Sequence, residues 1–184
     1  HFGAVVVLID ANVAELWGEK IMTALSETKI LKVIKVFGGE KAKSLSIYLD
    51  IINQLQELPI RRRDGIVVIG GGATCDLGGF VASTFMRGLP YITIPTTLIS
   101  IADAAHGGKV GINLDKGKNL LGNFYSPSLT IVDTSFLSTL SKREIKQGMA
   151  EIIKIGIIAN DPAFYEHLET ISYNPEDFIQ FPEN

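Results

Sequence analysis

Residues 66–69, Ile-Val-Val-Ile, stand between Gly65 and the run Gly70-Gly71-Gly72, and this short passage constrains the fold more than any other. Four apolar residues are too few for a helix, and without polar alternation they read as a strand buried on both faces. Such strands belong to parallel sheets covered by helices on either side. The flanking sequence agrees. Residues 4–9 form a β-branched run ending at Asp10, residues 13–26 carry mixed helical residues, and residues 31–37 form a second candidate strand. After Gly38-Gly39-Glu40, the apolar positions Leu45, Tyr48, Leu49, Ile52 and Leu55 recur at three- and four-residue steps, predicting an amphipathic helix that Pro59 and Arg61-Arg62-Arg63 interrupt. A helix over residues 73–86 leads to a strand at 91–94. A last strand at 129–132 precedes a helical region over 134–169, with breaks near Ser141 and Asp161.

Strands alternating with helices predict an α/β, Rossmann-like parallel sheet with flanking helices. The expected organisation is a nucleotide-binding domain over residues 1–140 and, from 141 to 184, the start of a mainly helical domain. Both ends read as cut from a longer chain. Residues 100–127 carry five glycines, three lysines and three asparagines with little apolar periodicity, so they are expected to form an irregular functional loop.

The net charge of -3 over 184 residues offers no broad basic surface for nucleic acid. No apolar run approaches the roughly 20 residues that span a bilayer, so no membrane partner is expected. The single cysteine, Cys75, cannot form an internal disulfide, which agrees with a reducing, cytoplasmic compartment.

Four passages carry chemistry. Gly70-Gly71-Gly72 lies between a strand and a helix, with Asp76 in that helix's first turns; it suits a pyrophosphate at a helix N-terminus, or a plain tight turn. Pro95-Thr96-Thr97 falls at the carboxyl end of a parallel strand, where its hydroxyls could hold a ribose or phosphate, or cap a helix starting at Leu98. The polar stretch with Asp103, Lys109, Asn113, Lys118 and Asn119 suits a phosphorylated or carboxylated ligand, against the plain alternative of a solvated loop. Glu151 and Lys154, three apart on a helix, share a face as an ion pair, or Glu151 serves as a metal ligand completed from elsewhere. The three histidines, His1, His106 and His167, form no ligand-spaced pair. Arg87-Gly88 suits a helix C-cap or an anionic substrate.

Taken jointly, GGGATCDLGGFVASTFMRG, IPTTLISIADAAHGGKVGIN, GKNLLGNFYSP and TLSKREIKQGMAEIIKIG resemble the 3-dehydroquinate synthases, over nearly the whole of residues 10–158. The resemblance implies an NAD-dependent, zinc- or cobalt-assisted lyase of the shikimate pathway. It would convert 3-deoxy-D-arabino-heptulosonate 7-phosphate to 3-dehydroquinate and phosphate as a cytoplasmic homodimer. It implies NAD contacts at Asp10, Asn12, Glu40, Lys43, Gly71, Gly72, Ala73, Asp76, Thr96, Thr97, Lys118, Thr139, Leu140 and Glu144. It implies substrate contacts at Arg87, Asp103, Lys109, Asn119 and Lys154, with Asp103, Lys109 and Lys154 catalytic and Arg87 reaching across the dimer. Glu151 matches the first metal ligand; the other two are histidines of the helical C-terminal domain.

The chain departs from the family where D-S-S-x-G-G-K-T-G-I-N is common. Here Asp103-Ala104-Ala105-His106-Gly107-Gly108-Lys109-Val110-Gly111-Ile112-Asn113 turns two hydroxyls into methyls and adds an imidazole. Cyclases acting on sedoheptulose 7-phosphate share the P-T-T segment but usually alter G-G-K-x-G-I-N. Related polyol dehydrogenases carry G-G-G-x-x-x-D followed by other residues. A non-catalytic NAD-binding module is the alternative of a different class.

Overall fold

The computed structural model describes residues 2–104 and 107–160, together with 162, 164 and 166. The elements are β1 (Val5–Asp10), α1 (Ala11–Ala24), β2 (Ile30–Val36), α2 (Leu45–Gln56), β3 (Gly65–Gly70) and α3 (Gly72–Thr84). They continue with β4 (Tyr91–Pro95), β5 (Lys109–Leu114), β6 (Gly117–Phe124), β7 (Leu129–Thr130) and α4 (Lys142–Ala159). A 3-10 turn, Gly39–Ala42, precedes α2, and a second, Thr134–Thr139, precedes α4.

Five strands form one parallel sheet in the order β2-β1-β3-β4-β7. The chain first builds outward from β1 to β2 and then crosses back to β3, so the connections leave β1 and β3 in opposite directions. At such a switch point the loops diverge and leave a crevice at the carboxyl ends of the strands.

Strand periodicity divides the core into two layers. Val6, Leu8, Ile66 and Val68 face α2 and α3, meeting Ile51, Leu55, Leu77 and Phe80. Val5, Val7, Ile9, Val67 and Ile69 face the other way, toward Ile21 of α1 and Phe136. All six residues of β3 are buried, as expected for a strand covered on both sides; each large side chain so buried contributes roughly 1.5–3 kcal/mol. Close approach of α3 to this strand requires Gly78, where an added Cβ would lie 2.6 Å from both γ-carbons of Val68.

The expected irregular loop over residues 100–127 is a correction. Ser100–Ala104 is a π-helical turn, and β5 and β6 form an antiparallel hairpin joined through Asp115 and Lys116. Its glycines permit close packing: Gly111 faces Gly122, and a Cβ on Gly111 would lie 2.8 Å from the Leu121 carbonyl oxygen. The hairpin lies on α3 at Gly79, where a methyl would overlap Val110. Burial falls almost wholly on β5, while seven of the eight residues of β6 are exposed, so little apolar alternation marks the sequence.

Smaller differences fall at element ends. The helix expected to reach Met86 stops at Thr84, because Met86 and Arg87 have φ of 52° and 65° and Gly88 has 113°. The last strand is shorter than 129–132. The break near Ser141 is a capping box: Ser141 Oγ accepts the Glu144 N–H at 3.3 Å, and Glu144 Oε2 accepts the Ser141 N–H at 2.8 Å. Asp161 lies outside the described residues. Among the described residues, no helix is long and apolar enough to cross a membrane.

Candidate functional site

The carboxyl ends of β1, β3 and β4 bring three polar segments around one cleft of about 400 Å³. Asp10 ends β1, and its Oδ1 accepts the N–H groups of Asn12 and Val13 at 2.9 and 3.3 Å, starting α1. Gly70 ends β3, and Gly71 is the N-cap of α3 with no side-chain cap. The first N–H groups of α3 therefore have no capping side chain, while the positive end of the helix dipole points into the cleft. Gly71 also keeps the wall thin, since a Cβ there would stand 3.1 Å from Thr97 Cγ2. Thr96 and Thr97 follow β4; Thr97 Oγ1 accepts the Ser100 N–H at 3.3 Å, so Thr97 both caps a turn and lines the cleft.

The far wall comes from the segment leading into α4. Thr139, Leu140 and Glu144 line it, with Glu144 fixed by its capping box. Trp17 closes one end, its Nε1 donating to Thr139 Oγ1 at 3.1 Å and its ring meeting Phe136 edge-on at 5.1 Å. Sequence reasoning missed Trp17, Phe136, Val13, Leu16, Gly39 and Thr74, all of which line this cleft. Val13, Leu16 and Trp17 fall at helical spacing, which by itself marks a packing face of a helix and not a cleft wall.

A second, larger cleft of about 660 Å³ lies between α3, the π-helical turn and the hairpin. Asp76, Asp103, Lys109 and Asn119 line it together with Gly107, Gly111 and Phe124. At its inner end Lys43, only 4% exposed, donates from Nζ to Asp76 Oδ2 and to Asn119 Oδ1, each at 2.6 Å. Burial raises the Asp76 pKa above the usual carboxylate value; Lys43 opposes the rise, and Glu40 and Asp103 add to it. Glu40 Oε1 accepts the Asn113 Nδ2–H at 2.9 Å and stands 3.8 Å from Lys118 Nζ. One polar cluster thus ties the 3-10 turn, α3 and the hairpin together.

Of the six expected site residues that line neither cleft, Glu40, Lys43 and Lys118 belong to this polar cluster, and Arg87, Glu151 and Lys154 do not. Arg87 sits in the positive-φ turn after α3. Glu151 and Lys154 pair with each other on α4, which realises the ion-pair alternative. The hydrogen bond to Glu151 raises the Lys154 pKa, desolvation opposes the rise, and the charges of Glu151 and Asp103 add to it. The substituted stretch at Ala105 and His106, like His1 and His167, lies outside the described residues. Among the described residues, no three His, Cys, Asp or Glu side chains gather as a metal site.

The family described as 3-dehydroquinate synthase N-terminal matches residues 33–147. A 3-dehydroquinate synthase of Listeria monocytogenes serotype 4a (strain HCC23) is 41% identical over 96% of this chain and 48% of its own length. Among solved structures, the 2-epi-5-epi-valiolone synthase ValA of Streptomyces hygroscopicus subsp. jinggangensis 5008, with NAD+ and Zn2+ bound, matches at 34% identity and a TM-score of 0.78. That match covers 84% of this chain and 44% of ValA. A 2-deoxy-scyllo-inosose synthase complexed with carbaglucose-6-phosphate, NAD+ and Co2+ matches at 31% identity and a TM-score of 0.78, covering 83% and 42%. The chain spans about half the length of the curated relatives it matches.

Proposed function

The chain belongs to the 3-dehydroquinate synthase family, and we propose that it forms the NAD-binding half of a 3-dehydroquinate synthase. The full protein then converts 3-deoxy-D-arabino-heptulosonate 7-phosphate to 3-dehydroquinate and phosphate. The observation that carries this reading is the placement of the uncapped N-terminus of α3 in a cleft at the sheet's switch point, next to a second cleft bearing Lys109 and Asn119.

The first cleft fits a dinucleotide. Gly71, Gly72 and Ala73 present backbone where pyrophosphate oxygens can approach, and the helix dipole favours their charge. Asp10 and Asn12 stand at the crest of β1 for one ribose, and Thr96, Thr97, Thr139, Leu140 and Glu144 complete the walls. Glu40, Lys43, Asp76 and Lys118 form the polar cluster on the nicotinamide side. Bound NAD supplies a hydride acceptor that is restored within each turnover, so the reaction has no net redox change. The metal is a different case, because the described residues do not form a site by themselves. Glu151 offers one carboxylate toward it.

This chain's own part in the chemistry is to bind and orient. Lys109 Nζ and the Asn119 amide hold phosphate oxygens in the second cleft, and Lys154 and Arg87 add positive charge from α4 and from the partner subunit's copy of the turn after α3. Neutralising the phosphate and fixing it in line favours its departure. Asp103 accepts a substrate hydroxyl at the mouth of the same cleft. We place the enzyme in the cytoplasm as a homodimer, with no nucleic-acid or membrane partner.

The deciding experiment supplies the full-length protein with NAD and zinc or cobalt and follows phosphate release. Release from the heptulosonate phosphate, with no accumulation of NADH, is expected. Release only from sedoheptulose 7-phosphate reassigns the substrate to that of the related cyclases, and release from neither overturns the enzymatic reading.

A further inference from the structure

We propose that Asn113 is a positioning residue that locks the β5–β6 hairpin to the turn before α2 and thereby sets where Lys43 and Asn119 stand between the two clefts. The inference rests on the functional reading above, which gives Asn113 no ligand of its own.

Three hydrogen bonds converge on this residue from both segments. Its backbone N–H donates to the Lys43 carbonyl oxygen at 2.7 Å, beside an isolated parallel bridge between Ser44 and Asn113. Its side-chain Nδ2 donates to Glu40 Oε1 at 2.9 Å, and its Oδ1 accepts the Asn119 N–H at 2.9 Å. Only one orientation of the amide satisfies both partners, since a carboxylate requires the NH2 group and a backbone N–H requires the oxygen.

The bond to Asn119 has a structural task. Asn119 has a φ of 54°, and the pairing shifts register between Ile112 and Leu114 on the opposite strand. Asparagine tolerates the left-handed region better than most residues, but holding it there still requires support from its surroundings. Asn113 supplies that support through the Asn119 N–H, and in this conformation Asn119 Oδ1 accepts from Lys43 Nζ at 2.6 Å. The contacts close on themselves: Asn113 holds the Lys43 backbone, Lys43 reaches Asn119, and Asn119 returns to Asn113. Asp76, 2.6 Å from the same Lys43 nitrogen, brings α3 into the arrangement. Aspartate at 113 has the shape of asparagine but lacks the donor and sets a second negative charge against Glu40. Leucine has the approximate shape with neither donor nor acceptor.

The test uses the full-length enzyme with its metal, in four forms besides wild type: Asn113→Ala, Asn113→Asp, Asn119→Ala and the double alanine variant. Asn113→Ala and Asn113→Asp are each expected to weaken NAD binding and raise KM for the phosphorylated substrate by about tenfold, with kcat changed less than about threefold. Because Asn113 acts through Asn119, adding Asn113→Ala to Asn119→Ala should change KM by no more than about twofold. A simple hairpin staple would instead lower Tm while leaving NAD affinity and KM near wild type. Values within about twofold of wild type for Asn113→Ala, or effects that multiply in the double variant, overturn the proposal. If the wild-type enzyme neither binds NAD nor releases phosphate, the functional reading has failed. The crystal structure of Asn113→Ala then decides: Asn119 leaving its left-handed conformation supports the positioning role, and Asn119 unmoved overturns it.

Discussion

The β3–α3 unit and the β5–β6 hairpin touch along Gly79, yet different forces hold them. Every residue of β3 is buried and α3 presses on it through Gly78, so the backbone amides at the start of α3 are fixed by close packing. Strand β6 is almost wholly exposed, and the hairpin keeps its place through Gly111 against Gly122, Val110 and Ile112 on α3, and the polar ties of Asn113 and Lys43. The cleft suited to a cofactor that stays through the cycle is thus built on the rigid part. The cleft suited to a substrate that must enter and leave is walled by a part that a few hydrogen bonds adjust.

The sharpest way to break this contrast is truncation on each side. Leu77→Ala, at a fully buried site of α3, is expected to cost about 3 kcal/mol in urea unfolding, as large-to-small core changes do. Phe124→Ala, at a side chain 81% exposed, should cost less than about 0.5 kcal/mol. Equal costs would mean that the hairpin is as firmly packed as the sheet. Next in size, Gly78→Ala adds a methyl against Val68, a stiff β-branched side chain with no room to turn, and is expected to cost about 2 kcal/mol; the midpoint of thermal unfolding reads it directly.

A pH measurement sharpens the same point. Burial pushes the Cys75 thiol up to about 11 from 9.0, with the Thr93 hydroxyl partly opposing the shift. An unfolded chain therefore loses this proton near pH 9, whereas the folded protein keeps it until about pH 11. The raised value means that the stability contribution is fully present below pH 9 and is lost as pH rises toward 11. At pH 10 the wild type should have lost about 1 kcal/mol relative to Cys75→Ala, which has no such proton. Parallel stability curves for the two proteins would show that the thiol is open to water. A small effect also belongs to Tyr125, whose hydroxyl donates to the Leu89 carbonyl oxygen at 3.0 Å beside the positive-φ turn that carries Arg87. Tyr125→Phe should cost ~1 kcal/mol or less, visible as faster amide hydrogen exchange at Gly88 and Leu89 before any shift in Tm.

The same contrast explains what was legible in the sequence. Strands β1 and β3 announced themselves because burial on both faces leaves uninterrupted β-branched runs, and Gly70-Gly71-Gly72 marked the strand-to-helix corner that became the first cleft. The hairpin stayed hidden, since an outer strand open to solvent needs no alternation and glycines that permit tight pairing resemble those of a loose loop. The pairing of Lys43 with Asp76 joins residues 33 apart across two elements, and local spacing carries no trace of it. Trp17 and Phe136 carry no such signal: they pack edge-on against each other as core residues do, and they line the cleft because the chain before α4 folds back over the sheet. The assigned ligand roles came from several motifs occurring together, since each motif alone had an ordinary structural explanation.

Trp17 also provides the most direct test of the central claim that the first cleft holds NAD. It is the single tryptophan of the 184 residues and lines that cleft, so its fluorescence reports occupancy without any label. Titrating this chain with NAD should quench the emission saturably, and replacing Gly71 with valine, which fills the thin wall before α3, should abolish the quench while the far-UV spectrum stays folded. Emission unchanged at millimolar NAD, or a quench that survives Gly71→Val, would contradict the account.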